Sequence, residues 1–345
     1  MPSFCRHGRF QQNCRICSPK AANAAAGTSP RPVSDKPDAA KVGGVPGRRA
    51  SDGPSSRRSS SSSSSAGGGR GSSGMVVRRQ ARAVEDGYAN ELVPGMKASG
   101  DARRLAEELA FAQARLEELR SDPPGLYAEV ALNENPEEAL WLAFQIAHLS
   151  PLAGEDGPFA QIDAARTTWA SGEPPKLGEG VVLGPRTTVD PKSPTRTAEA
   201  YRAWAGRAGS QQAAFQGETA WLPARRFSRV FERLALPGFA RAGRVELLIS
   251  LGRLGLAEIE PTELRLGDAD DGSTIAAKRI FGIGDTVLLE RRLADLAEAV
   301  EVPLAAFDLA LFNFNQPTAA RATMGSAVEP DADVRARVER TLGVG

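Results

Sequence analysis

The chain has 345 residues, of which 41% are hydrophobic, 25% charged and only 6% aromatic, with 35 Gly and 24 Pro; that balance leaves room for one core and a long stretch without one. No run of about 18 apolar residues occurs and the basic N-terminus is followed by no hydrophobic segment, so neither a membrane span nor a secretory signal is expected and the protein reads as cytoplasmic. The net charge of +1 conceals an asymmetry: residues 1–82 carry 15 Lys and Arg against three Asp, a net +12, which leaves −11 for residues 83–345.

All three cysteines fall in MPSFCRHGRFQQNCRIC, together with one of the only two histidines. Cys5, His7, Cys14 and Cys17 give the spacing CxHx(6)CxxC, three thiolates and an imidazole suited to a closed, structural Zn2+ tetrahedron, and residues 1–18 read as a zinc-knuckle-like module. An unstructured tail with incidental thiols has the same composition. Arg6, Arg9 and Arg15 interleave with Phe10, a pattern that suits nucleic acid and a protein surface almost equally. Residues 19–74 offer almost no large apolar side chain to offset the entropy of ordering and are expected to be a disordered basic Ser/Gly/Pro/Arg linker. A basic arm of this kind attracts polyanions without regard to sequence, although a solvated tail carries the same charge.

Ordered sequence is expected from Met75, with residues 75–121 as a helical extension. Within it, Leu105, Leu109, Ala112, Leu116 and Leu119 share one face of a helix over 101–120, capped by Ser99 or Asp101 and stopped by Pro123 and Pro124. Next comes NPEEALWLAFQIAHLS, with Pro136 in the first turn, two Glu at the positive dipole end and apolar residues almost all round, which places it at the centre of the core. PLAGEDGPFAQIDAARTTWASGE and TAEAYRAWAGRAGSQQAAFQG read as helices on either side of a Gly/Pro-rich separator. Two more lie in ARRFSRVFERLALPGFARAGRVELLISLGRLGL, broken at Leu236-Pro237-Gly238. The only β-branched run bounded by turns, residues 181–183, is too isolated to found a sheet, so the fold class is all-α. His148 ends the most apolar helix, where a core or dipole-complementing role is expected. With no other histidine beyond the terminal cluster, hydrolase triads are disfavoured, and no phosphate-binding GxxxxGK[ST] is present.

STIAAKRIFGIGDTVLLERRLADLAEAV has the form of a helix-hairpin-helix. Lys278, Arg279, Phe281, Gly282, Ile283 and Gly284 are its candidate DNA-binding residues, because the glycines admit a close phosphate and the next helix points its amides at it. A tight connection between two helices with Asp285 as N-cap has the same sequence. Twenty-four residues beyond Gly284, Asp308 is a lone acid in an apolar run, a placement expected to raise its pKa and suggestive of catalysis, or else a helix cap. Residues 122–320 form the expected domain, and 321–345 a helical C-terminal tail.

Five runs, LSPLAGEDGPFAQI, LPGFARAGRVELLISLGRLGL, AAKRIFGIGD, LLERR and PLAAFDLALFNF, resemble the α-glutamyl/putrescinyl thymine pyrophosphorylase family. The likeness is to its cellular, actinobacterial-type branch (clade 3), within the helix-hairpin-helix DNA glycosylase superfamily, and it spans roughly residues 130–318. The resemblance implies a glycosylase-like fold that acts on a flipped DNA base, a pyrophosphorylated 5-hydroxymethyluracil, and displaces pyrophosphate with an amine or amino-acid donor. It implies that Gly282 and Gly284 hold the DNA backbone, that Asp308 stands near the superfamily's acidic position and that Gln145 contacts the base. The stretch before Asp308 is longer and more apolar than the superfamily pattern. Lys278, Arg279 and the arginines of ARRFSRVFERL are the cations available to the leaving group, and Asp308 the carboxylate available to the amine's proton. Two other readings stay open: a non-catalytic DNA-binding protein in the cytoplasm or nucleoid, and a base-excising glycosylase.

Overall fold

A computed structural model describes residues 83–154 and 157–345. The cysteine-rich terminus, the 19–74 tract and residues up to 82 lie outside the described residues. Those that are described are helical, with no strand among them, in keeping with the all-α expectation.

The longest helix among the described residues, α1 (Ser99–Ser121), buries Leu105, Leu109, Ala112, Leu116 and Leu119, the face marked by the apolar spacing. Its cap differs from expectation: the Ala98 position has no side-chain cap, and the Ser99 amide donates instead to the Asp86 carboxylate at 3.1 Å. Asp101, freed from capping, pairs with Arg279. After α2 (Leu126–Leu132), α3 (Pro136–Leu149) starts on an Asn135 cap whose side chain accepts from the Glu137 amide, and it is buried almost all round. Its two first-turn acids serve neighbouring segments as well as the dipole. Glu137 accepts from the Gln211 and Gln212 amides, each at 3.0 Å, and Glu138 accepts from Trp169 and Ala170.

Between α3 and residue 196 the only helix among the described residues is the six-residue α4 (Ala160–Ala165). The longer helix expected there starts only after Gly157-Pro158 and ends before Thr167, whose amide and carbonyl are both taken by the Gln145 side chain. Then follow α5 (Arg196–Arg207), α6 (Gln211–Gln216), α7 (Pro223–Arg233) and α8 (Arg241–Arg253), the last pair broken where expected. The chain continues through α9 (Gly272–Phe281), α10 (Thr286–Val300), α11 (Leu304–Phe314), a 3-10 turn (Thr318–Ala320) and α12 (Ala332–Thr341).

Helix α1 lies against α11 and α12, α3 against α8 and α2, and α9 against α11 and α10. Trp141, Phe144, Tyr201, Trp204 and Phe215 form one aromatic region of the core. Helices α1 and α12, on either side of residues 122–320, share one buried core with the helices between them, because their apolar faces have no other cover.

Residues 94–96 pack against the back of the α9–α10 turn, with the Gly95 amide donating to Ile280 O at 2.8 Å. A Cβ on Gly95 would lie 2.2 Å from Arg279 O and 2.6 Å from Gly282 N, whereas one on Gly284 would meet nothing within 4 Å. Gly95→Ala is thus expected to destabilise the domain by about 2–4 kcal/mol and Gly284→Ala by less than about 0.5 kcal/mol, read as shifts in urea unfolding midpoints.

Candidate functional site

Six charged side chains form a chain through the interior. Arg115 of α1 donates to Glu246 of α8 at 2.6 Å, and Glu246 also accepts from Tyr127 and Ser250 hydroxyls. Arg186 bridges Glu246 and Asp308. On the other side of Asp308, Arg241 donates from Nη2 at 2.7 Å, and its Nε lies 3.0 Å from Asp271. No side chain in the series is more than 7% exposed, and three guanidinium groups balance three carboxylates.

Burial pushes the Asp308 carboxyl up, but the charges of Arg241 and Arg186 together outweigh it, and the group is held down at about 2. Asp308 sits mid-helix in α11, so the raised pKa expected from its apolar sequence neighbours and the alternative of a helix cap are both overturned. Its neighbours along the chain are apolar, yet its neighbours in space are two cations.

The segment that delivers Arg186 is held by backbone contacts with the end of α3. Gly184 N–H donates to Ser150 O at 3.0 Å and Thr188 N–H to His148 O at 3.0 Å. Gly184 has no room for a Cβ, which would fall 2.0 Å from Pro151 O. Arg186 and Arg241 then line a cleft of about 470 Å³ with Thr187, Thr188, Asp268 and Phe312, and the N-terminal Gly272 of α9 completes it. Asp268 and Asp270 are exposed at its rim, while Asp271 caps α9 through the Thr274 amide.

Gln145 does not share this cleft. Its Oε1 accepts from the Thr167 amide at 2.9 Å and its Nε2 donates to Thr167 O at 3.0 Å, so both ends are engaged in pinning the loop after α4. His148 is buried with its ring stacked on Phe144 and edge-on to Phe239. Burial lowers its pKa to about 4, so the ring is neutral at pH 7 and the dipole-complementing role does not apply. Its Nδ1 lies 2.6 Å from Thr188 Oγ1.

At the hairpin, Gly282 adopts φ 68° as the C-cap of α9 and Asp285 caps α10 by accepting from the Leu288 amide. Gly282 and Gly284 are exposed, whereas Phe281 is buried and Ile283 packs partly against the core. Lys278 is half-buried. Arg279 pairs with Asp101 and lies over the Phe314 ring, so its cation is already engaged inside the protein. Arg226, from the arginine-rich α7, donates to the carbonyls of Gln216, Glu258 and Trp221, which gives it a structural task.

Arg186, Thr188, Arg241 and Glu246 were not marked by the sequence. The available signal was weak: charged residues embedded in the otherwise apolar run of α8. Cys5, His7, Cys14 and Cys17 lie outside the described residues. Among those described, no group of three or more His, Cys, Asp or Glu is placed to hold a metal. Comparison with protein-family models, curated proteins and solved structures finds no match to this chain.

Asp308→Asn leaves two buried guanidinium groups short of a counter-charge and is expected to cost about 3–5 kcal/mol in urea unfolding at pH 7. His148 predicts an acid response. Its folded pKa of about 4 lies below the ordinary 6.5, so the stability it contributes is complete above pH 6.5 and declines toward pH 4, by about 3 kcal/mol. Unfolding free energies measured across that window should fall for the wild type and follow a flatter course for His148→Phe.

Proposed function

We propose that this chain is a DNA base-modifying enzyme of the kind implied by its resemblance to the α-glutamyl/putrescinyl thymine pyrophosphorylases. In this reading the α9–α10 connection is a helix-hairpin-helix that holds the phosphate backbone, and the cleft receives a flipped base. The observation that carries it is the placement of one helix: Gly272, the first residue of α9, lines the cleft, and the hairpin follows its last residue, Phe281. Ten residues at about 1.5 Å each set the two roughly 15 Å apart on a rigid element, a spacing suited to gripping the backbone beside an extruded nucleotide.

The roles of the residues then differ from those first expected. Asp308, doubly paired and buried, is a positioning residue that holds Arg186 and Arg241 at the cleft. The exposed carboxylates of Asp268 and Asp270 are placed to meet an incoming protonated amine and to take its proton. As the amine nitrogen bonds to the 5-methylene carbon, the bond from that carbon to the pyrophosphate oxygen breaks and the electron pair leaves with pyrophosphate. Acids on the rim disfavour a polyphosphate inside the cleft, so the leaving group faces solvent. Three thiols and an imidazole in the N-terminal module are a complete donor set for structural Zn2+ and leave no open position for catalysis. Among the described residues no helix is long and apolar enough to cross a membrane.

A second reading, DNA binding without catalysis, is favoured by one observation: both side chains first assigned to catalysis, Asp308 and Gln145, are fully engaged within the protein.

The full chain incubated with DNA carrying pyrophosphorylated 5-hydroxymethyluracil, and with glutamate or putrescine, should yield an amine-substituted base and free pyrophosphate by nucleoside mass spectrometry. DNA binding without any product would support the second reading. In the same preparation Gly284→Glu should weaken binding about tenfold at low salt; unchanged affinity would remove the hairpin from the interface.

A further inference from the structure

The base edge that such a cleft accepts depends on a histidine outside the proposed chemistry. His148 is 1% exposed, and its Nε2 has no hydrogen-bond partner. A neutral imidazole carries one ring hydrogen. On Nε2 that hydrogen would be a buried donor without an acceptor. On Nδ1 it leaves only a lone pair unspent, the less costly of the two arrangements. His148 therefore donates from Nδ1 to Thr188 Oγ1 across 2.6 Å, and the hydrogen of the Thr188 hydroxyl remains available.

That hydroxyl is held in place. The Thr188 amide is tied to His148 O, and its methyl is seated against α8, where a Cβ on Gly243 would come within 2.7 Å of Thr188 Cγ2. A donor hydroxyl polarised by an imidazole N–H, with its backbone and methyl both fixed, is preorganised. Arg186 shares that lining with its charge already paired inside the protein, and its guanidinium lies 5.1 Å from the ring of Phe312, also in the cleft.

We propose that the Thr188 hydroxyl is the specificity-determining donor of the cleft, with His148 as the positioning residue that keeps it a donor. It selects a ligand edge that presents an acceptor oxygen, such as the 4-carbonyl of a thymine-type ring, over one that presents an amino group. This proposal rests on the base-site reading above. An amino group opposite Thr188 would set donor against donor, and discrimination by such a mismatch is of the order of tenfold or more.

Thymine and 5-methylcytosine share the 5-methyl group and the 2-carbonyl and differ along one edge, a 4-carbonyl beside N3–H against a 4-amino group beside an unprotonated N3, which makes them matched probes. Two single-stranded oligonucleotides, each with one of these bases between abasic spacers, are titrated against the full chain by fluorescence anisotropy. The thymine strand should bind about tenfold more tightly. Thr188→Val should bring the two strands to within about twofold, Thr188→Ser should restore the preference, and His148→Phe should reduce it while circular dichroism shows the fold retained. Equal binding of both strands by the wild type, or a preference that survives in Thr188→Val, overturns the donor assignment and leaves the base-site reading standing. Binding of neither strand overturns both.

Discussion

The interior of this protein is organised by a constraint that hydrophobic packing alone does not impose: three arginines and three carboxylates must meet in alternation away from water. Removing such charges from solvent costs several kcal/mol per ion, and the attraction between them offsets that cost only when every partner is in place. The series Arg115, Glu246, Arg186, Asp308, Arg241, Asp271 draws its members from α1, α8, α11, the segment after Gly184 and the loop before α9. A misplaced element would strand a charge, so the network discriminates against alternative packings of the same helices even where it adds little net stability. Arg241 shows the coupling clearly, since its Nη1 also donates to Leu264 O at 2.9 Å and so fixes the strand-free loop that leads to the cleft rim.

The cleft inherits its rigidity from this network. Arg186 and Arg241 stand in its lining with their charges already answered from behind, so the surface they present is polar without being strongly cationic. Carboxylates at the rim tilt the field further toward cations. A neutral base with an amine beside it suits that environment better than a phosphate does. The hairpin is built differently, with Gly95 pressed against its inner side and Gly284 open to solvent. The backbone there is supported from one side and exposed on the other, as a phosphate contact requires.

Helices were legible wherever one apolar face repeats over several turns. In α1 all five residues chosen by spacing are buried, and α3 shows the all-round burial that its composition implied. The cap of α1 escaped because Asp86, which receives the Ser99 amide, lies 13 residues upstream, beyond the local window in which capping signals are read. Asp308 failed for a related reason. Its apolar neighbours in sequence argued for a raised pKa, but its partners lie 67 and 122 residues away in the chain, and an isolated acid looks the same whether or not an arginine will reach it. The segment holding Arg186 and Thr188 has no periodicity to read, because its conformation follows from contacts with Ser150, Pro151 and His148. In this fold, periodic elements were visible and the aperiodic segment that carries much of the site was not.

The charge distribution adds a further consequence for the proposed function. The residues that form the helical domain carry a net −11, so long-range attraction to DNA cannot come from them; the residues before Ala83, at +12, are the part of the chain with the sign to supply it. Attraction by an arm of that composition is independent of sequence and falls steeply with salt. In the proposed function, recognition at the hairpin and the cleft would depend on backbone amides and a hydroxyl held at fixed positions, contacts that act at short range and are screened far less. Affinity and selectivity would then reside in different parts of one chain, and salt would tune the first while leaving the second intact. Under the proposed function an acidic domain would gain from that division: with little pull of its own on the backbone, it would leave the choice of base to the hydroxyl inside the cleft.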